Sequence, residues 1–202
     1  MIELFLKGGP VMWPLLAVSL LSLTVIFERM VFLLREWHCH DPEAVALLFK
    51  EASRGDLDAA QAAGARSRDY LAHILTYALK HRDSSFSNAL LKAANDELKR
   101  FNRGISILDT IVTLAPLLGL FGTVTGMIHA FSLLGGSDLG APAAITGGIA
   151  EALLATAFGL LIAMISLLPF NYLSTHLEEA RQSIETAAAH LELLLLHTEK
   201  NP

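Results

Sequence analysis

Positive charge is missing from most of the C-terminal half of this chain. Between Arg103 and Arg181 lie 77 residues without a lysine or arginine, whereas 12 of the 15 cations fall between Arg29 and Arg103. Charged residues make up only 17% of the 202 residues, against about a quarter in soluble domains. Such segregation of cations, beside long apolar runs, is typical of a membrane protein whose cation-rich segments stay on one side.

Other scarcities exclude further classes of protein. The single cysteine, Cys39, rules out an internal disulfide framework and a multi-cysteine zinc site. A net charge of −5 and the lack of a basic stripe interleaved with aromatics argue against nucleic acid as a partner. No nucleophile elbow, phosphate loop or HExxH motif is present, so we expect neither an enzyme nor a cofactor. His38, Cys39 and His40 are adjacent and cannot easily wrap one ion tetrahedrally, so we expect no metal site.

Apolar runs predict three membrane-spanning helices, over residues 11–34, 105–134 and 145–170. Each run is long enough to cross a hydrocarbon core of about 30 Å. The first ends beyond Glu28-Arg29, where we expect the charged heads to snorkel towards water. A cleavable signal peptide is the alternative for the first run. It fits poorly, because one lysine precedes the run and no small-residue cleavage site follows it.

Four segments outside the spans complete the predicted organisation. They are a lead-in over 1–10, a helical domain over 35–104, a short loop over 135–144 and a C-terminal helix over 171–202. The positive-inside rule places the helical domain and the C-terminal helix in the cytoplasm, and the N-terminus and the loop outside. The predicted fold class is therefore an all-α membrane protein with three transmembrane helices, two of which extend into a cytoplasmic helical bundle.

Local signals within these segments predict where helices begin and end. Asp41-Pro42 is a good N-cap followed by proline at the first helical position, so a helix should run from there to Gly55. Apart from Gly104, nothing separates the last helix of the domain from the second span, which predicts one continuous helix. The C-terminal helix carries a heptad-like apolar stripe that suits a bundle around a symmetry axis. Its members are Leu177, Ala180, Ile184, Ala187, Leu191 and Leu194.

Glu151 is the clearest functional candidate, because it lies just inside the third span. A carboxylate at membrane depth costs several kcal/mol unless it is paired, neutral or in contact with water, so it marks a functional or inter-subunit site by default. The alternative is that the span begins at Ala152 and that Glu151 lies at the outer interface. We favour the functional interpretation.

Thr123 and Thr156 place hydroxyl groups near the middle of the second and third spans. A threonine in a membrane helix commonly hydrogen-bonds to its own carbonyl ladder, which is the structural alternative for both. Thr156 follows Glu151 by five residues, hence by about 140° around the helix. An ideal helix therefore cannot point both side chains at one axis, so one faces a lumen and the other a neighbouring helix.

A face of small residues in the second span predicts close helix packing. Gly119, Gly122 and Gly126 fall on roughly one side of the helix, and Gly159 belongs to a similar stripe in the third span. Pro116 interrupts the hydrogen-bond ladder and is tolerated only where the freed carbonyl finds another partner. We expect the glycines to serve packing between subunits.

The segments 108–127 and 149–161 resemble the second-span and third-span signatures of the MotA/TolQ/ExbB proton channel family, closest to its ExbB and TolQ branch. Gly8-Gly9-Pro10 and Glu28-Arg29 are similar to the opening of that family. The resemblance implies a bacterial inner-membrane protein that forms a homopentamer around a central pore. It also implies a dimeric ExbD/TolR-type partner, with one membrane helix per chain inside the pore, and a TonB- or TolA-type protein that receives the work.

The same resemblance assigns roles to individual residues. Thr123, Glu151 and Thr156 match positions of the ion pathway, whereas Pro116 and the glycines match helix-packing positions. An ExbB-like subunit would use proton-motive force to drive outer-membrane transport. Two alternatives are a TolQ-like subunit of the Tol-Pal envelope system and a passive oligomeric scaffold for single-span partners.

Overall fold

A computed structural model describes residues 5, 7–132 and 142–200 of the chain. The described residues form helices and turns and no strand, which confirms the all-α prediction for them. The helices are α1 Met12–Cys39, α2 Pro42–Ser53, α3 Leu57–Ala65, α4 Tyr70–Lys80, α5 Arg82–Asn102, α6 Ile105–Ser132 and α7 Pro142–Lys200. Residues 135–141 of the predicted loop, and the first four of the predicted lead-in, lie outside the described residues.

Three of these helices, α1, α6 and α7, are long and apolar enough to cross a membrane. The longest, α7, contains 59 residues, so it extends over roughly 88 Å at a rise of 1.5 Å per residue. The prediction of three membrane-crossing helices is therefore confirmed in length and composition.

The chain divides into two compact units. The membrane unit comprises Met1–Arg29 and Gly104–Leu173, and the bundle unit comprises Met30–Arg103 and Ser174–Pro202. Helices α1 and α7 each contribute one part to the first unit and the other part to the second.

The bundle unit has a core of large aliphatic side chains. Leu48 of α2, Leu75 and Leu79 of α4, and Leu191 of α7 are almost completely buried in one cluster, together with Ala187. The apolar stripe of the C-terminal helix, predicted to face a symmetry axis, therefore packs within its own chain. Helices α2, α3 and α4 bury Ala187 and Leu191 of that stripe, and Ile184 packs against Ile74 of α4 and Ala93 of α5.

A buried carboxylate joins the ends of α2 and α4. The side chain of Asp69 is fully buried and accepts the backbone N–H groups of Leu71 at 2.8 Å and Asp41 at 2.9 Å. A third contact, at 2.8 Å, comes from Nδ1 of His40. Asp41 in turn accepts the backbone N–H of Ala44 at 3.1 Å, which confirms it as the predicted N-cap of α2.

The predicted continuous helix through residue 104 is wrong. Helix α5 ends at Asn102, and Gly104 has φ +81°, a left-handed conformation that glycine adopts without steric cost. A Cβ atom at Gly104 would lie 3.1 Å from Val25 Cγ1. Arg29 packs beside the same glycine and is buried rather than extended towards water, with its guanidinium 2.8 Å from Glu28.

Candidate functional site

Helices α6 and α7 touch through glycine and alanine. A Cβ atom at Gly119 would lie 2.9 Å from Thr156 Cα, and one at Gly126 would lie 2.9 Å from Ala152 Cβ. One at Gly159 would lie 2.5 Å from the Ala115 carbonyl oxygen. Real Cβ atoms do not approach so closely, so the backbones can meet only because these side chains are absent.

The predicted packing residues thus lie at a contact inside one chain. Gly122 faces Ala155, whose Cβ occupies the space that a side chain on Gly122 would need. Pro116 lies inside α6 and is half-buried. The residue before it, Ala115, is fully buried against Gly159. We expected this glycine face to pack between subunits. In the structure it packs α6 against α7 within a single chain.

The two threonines differ in their hydrogen bonds. The hydroxyl of Thr156 donates to the Gly119 carbonyl across the α6–α7 contact, at 2.9 Å. The hydroxyl of Thr123 instead donates to Leu120 within α6, at 2.7 Å. Back-bonding, the structural alternative considered for both, therefore applies to Thr123 and not to Thr156.

Thr123 borders the face of α6 that packs against nothing in the described residues. It lines a shallow groove with the exposed side chains of Val124, Ile128 and Phe131. Leu117, Leu120 and Phe121 are exposed on the same helix. This face presents large apolar groups, in contrast to the small residues turned towards α7.

Glu151 lies on α7 at the edge of the α6 contact, one residue before the buried Ala152. Its carboxylate lies against Gly9, in the turn that precedes α1, so that a Cβ atom on Gly9 would overlap it. Glu151 and Thr156 point to different neighbours, and both neighbours belong to the same chain. That one of the two faces a lumen stays a prediction.

Helix α1 completes the core of the membrane unit. Val11, Met12 and Leu15 are buried together with Ile111 of α6 and Ile162 of α7. These five side chains hold α1 against both spans that carry the candidate residues.

Two serines link α1 to α7 further along. Ser22 Oγ lies 2.6 Å from Ser166 Oγ, and both side chains are buried. Ser166 also donates to the Ile162 carbonyl at 2.8 Å, so its single proton is used and Ser22 is the donor of the inter-helix bond.

The ring nitrogens of the adjacent histidines have separate partners. His38 Nδ1 lies 2.9 Å from the Leu34 carbonyl, and His40 Nδ1 contacts Asp69. No group of three or more histidine, cysteine or carboxylate side chains with metal-binding geometry occurs among the described residues.

The fold and the site define a multi-pass membrane protein whose second and third membrane-length helices meet through small residues. The profile of the MotA/TolQ/ExbB proton channel family matches residues 60–186, more than half of the chain. A relative described as biopolymer transport protein ExbB-like 1, from Synechocystis sp., is 38% identical over 96% of this chain and 78% of its own length. The chain belongs to the MotA/TolQ/ExbB proton channel family.

Two shorter alignments reach both branches of that family. The biopolymer transport protein ExbB of Neisseria gonorrhoeae is 39% identical over 50% of this chain and 46% of its own length. The Tol-Pal system protein TolQ of Haemophilus influenzae is 37% identical over 46% of this chain and 41% of its own length. The family comprises channel and transport proteins rather than enzymes.

Sequence reasoning missed three contributors to the membrane unit: Gly9, Ser22 and Ser166. Gly9 was considered only as part of the Gly8-Gly9-Pro10 segment that resembles the family's opening, because nothing local predicts that this segment meets Glu151. The serines carry a weak signal, since each is a polar residue inside a predicted span. Only the packing of α1 on α7 reveals that they face each other.

Proposed function

We propose that this chain is the ExbB-type subunit of a proton-driven inner-membrane motor, which works with an ExbD-type partner to energise a TonB-type protein for outer-membrane transport. The observation that carries the proposal is a carboxylate, Glu151, inside a membrane-length helix and packed against the turn that precedes the first span. Family membership supports proton coupling. The ExbB-like relative aligned over 96% of the chain favours the ExbB branch over TolQ.

In this proposal five copies form a ring in which α6 and α7 surround a pore. The unpacked face of α6, with Thr123 at its border, turns towards neighbouring copies and the partner helices. Glu151 accepts and releases protons beside a partner dimer that contributes its own carboxylate. Buried ionisable groups in membrane proteins mark such proton relays, because their charge is tolerated only with water or a partner.

We propose an orientation for the same assembly. The segment over 35–104 and the C-terminal helix lie in the cytoplasm, and the N-terminus lies in the periplasm. The support is the distribution of cations, 12 of which fall between Arg29 and Arg103.

The deciding experiment uses the chain co-purified with an ExbD-type partner and reconstituted in proteoliposomes. We expect proton flux in the wild type and its loss in Glu151→Gln, which keeps the side-chain volume but cannot ionise. Glu192→Gln, an exposed carboxylate of the bundle unit, is the matched control and should leave flux unchanged. Assembly with the partner is measured for every variant.

A second pair of variants tests the pore-facing threonine. Thr123→Val should reduce flux, whereas Thr125→Val should not, although both hydroxyls donate to their own helix. Absence of proton flux from the assembled wild-type complex would establish the passive scaffold instead, whereas flux that persists in Glu151→Gln would exclude Glu151 as the proton carrier. Stable assembly with a TolR-type partner, but not with an ExbD-type one, would establish the TolQ-like role.

A further inference from the structure

A tight turn precedes α1 and leads the chain into the membrane unit. The N–H of Gly8 donates to the Phe5 carbonyl at 3.1 Å, and the N–H of Met12 donates to the Gly9 carbonyl at 3.2 Å. Gly9 has φ +73°, in the left-handed region where residues with a Cβ atom are disfavoured. The turn therefore needs glycine for its backbone alone.

The same glycine has a second constraint, which comes from Glu151. The carboxylate occupies the space where a Cβ atom on Gly9 would stand. The two residues are far apart in sequence, yet both belong to the membrane unit. The missing side chain of Gly9 thus makes room for the only carboxylate that the described part of α7 carries between Thr146 and Asn171.

Packing on either side of the turn holds it in place independently of Glu151. Val11 and Met12, directly after the turn, are buried, and Val11 lies against Gly122 of α6. Before the turn, the ring of Phe5 meets Trp13 edge to face, with centroids 5.4 Å apart. These contacts position the turn, whereas the atom that a Cβ on Gly9 would meet is the end of the flexible Glu151 side chain, so the carboxylate is the group that moves aside.

We propose that Gly9 is a positioning residue for Glu151, and that the Gly8-Gly9-Pro10 turn closes one side of the carboxylate's site. Backbone packed against a carboxylate excludes water from that side, so protons must reach Glu151 from another direction. Displacing the carboxylate from the turn changes its orientation and its access to water. The significance of the Gly9–Glu151 contact for ion transport rests on the proposed function, whereas the contact itself does not.

A double-mutant cycle on the purified chain tests the contact without any transport assay. Gly9→Ala adds a Cβ atom, and its cost in thermal stability should be larger in the wild type than in a Glu151→Ala background. Gly55→Ala is the matched control, because Gly55 has φ +82° in the bundle unit and carries the same backbone cost. Its effect should be equal in both backgrounds.

Carbodiimide labelling of Glu151, read by mass spectrometry, gives a readout that a merely structural role would not change. We expect Gly9→Ala to raise the labelling rate several-fold, because the displaced carboxylate becomes accessible. Gly9→Asn serves if the alanine variant does not fold, since asparagine tolerates the left-handed region and still adds a Cβ atom. Gly55→Ala should label like the wild type.

Equal costs of Gly9→Ala in both backgrounds, together with unchanged labelling, would overturn the proposal. Failure of the proposed function looks different. Proton flux would then be absent from the reconstituted wild type, while the coupling between Gly9 and Glu151 and the change in labelling would persist.

Discussion

The closest helix contacts of the two units are made mainly by different residue types. In the membrane unit, α6 and α7 approach through Gly119, Gly126 and Gly159, and large side chains such as Leu117 remain exposed. In the bundle unit, leucines fill the core, and the one comparable glycine contact in the described residues is at Gly64 near the end of α3, where a Cβ atom would overlap the Thr76 hydroxyl.

The difference follows from the surroundings of each unit. Water drives leucines together, because each buried aliphatic side chain is worth roughly 1.5–3 kcal/mol relative to its exposed state. Lipid tails are as apolar as leucine, so helices in a membrane gain little from burying it and associate through close contact and hydrogen bonds instead. A substitution that enlarges or shrinks a side chain should therefore act differently in the two units.

The largest effect is expected from removing a leucine of the bundle unit. Leu48→Ala should destabilise the unit by about 2–5 kcal/mol, because Leu48 is fully buried and a cavity would remain. Leu47→Ala, on the same helix but 45% exposed, is the control and should cost much less. Chemical denaturation followed by circular dichroism measures both. Similar losses in the two variants would contradict the packing described for α2.

Adding a methyl group in the membrane unit should give the next largest effect. Gly159→Ala forces a Cβ atom towards the Ala115 carbonyl and should cost about 1–3 kcal/mol through overpacking. Gly147→Ala is the matched control, since a Cβ atom there meets nothing within 4 Å. It should stabilise α7 by roughly 0.5–1 kcal/mol, because alanine favours helix over glycine. Thermal unfolding in detergent should thus show opposite signs, and equal signs would refute the α6–α7 contact.

A smaller effect is expected at the hydroxyl pair that links α1 to α7. Ser22→Ala removes the donor of the bond to Ser166 and should cost about 1 kcal/mol, the scale of hydrogen bonds between membrane helices. Ser19→Ala, three residues earlier on α1 and only half-buried, is the control. The free energy of unfolding of both variants is measured in mixed micelles. Equal values would show that the Ser22–Ser166 hydrogen bond does not stabilise the membrane unit.

The smallest effect concerns pH and the bundle unit. Burial raises the pKa of the Tyr70 hydroxyl above its usual value, while a hydrogen bond with Ser183 opposes the shift. A raised folded-state pKa means that the folded chain holds the proton more tightly, so this contribution to stability is present below about pH 10 and is lost as the pH rises through the folded value. Tyr70→Phe should remove the part of the fall in melting temperature at alkaline pH that comes from ionisation of Tyr70. An identical pH profile for the variant would exclude Tyr70 as its source.

Much of the fold follows from local patterns. The three spans are evident from length and apolar composition, and the Asp41 cap from its proline and the helix behind it. The break at Gly104 was missed, because a single glycine between two helical patterns does not reveal whether its φ is positive. The role of the C-terminal stripe was mistaken, since periodicity identifies a buried face but not the partner that buries it.

The candidate site also has features that local patterns predict and features that they do not. Helical angles alone predicted that Glu151 and Thr156 cannot point at one axis, because five residues turn the helix by about 140°. Neither the bond from Thr156 to Gly119 nor the contact of Glu151 with Gly9 could be predicted, since each depends on how separate helices are placed. The ion-path roles of Thr123, Glu151 and Thr156 stay predictions until the flux measurements are made.

The glycine contact between α6 and α7 also restricts how these helices can move. Rotating α6 by one residue about its axis would bring Leu118 or Leu120 to where Gly119 now meets Thr156, and neither side chain fits at that separation. The pair therefore has a single rotational setting. In the motor proposed above, a working stroke would then carry the contacting parts of α6 and α7 together, and sliding would take place on their outer faces.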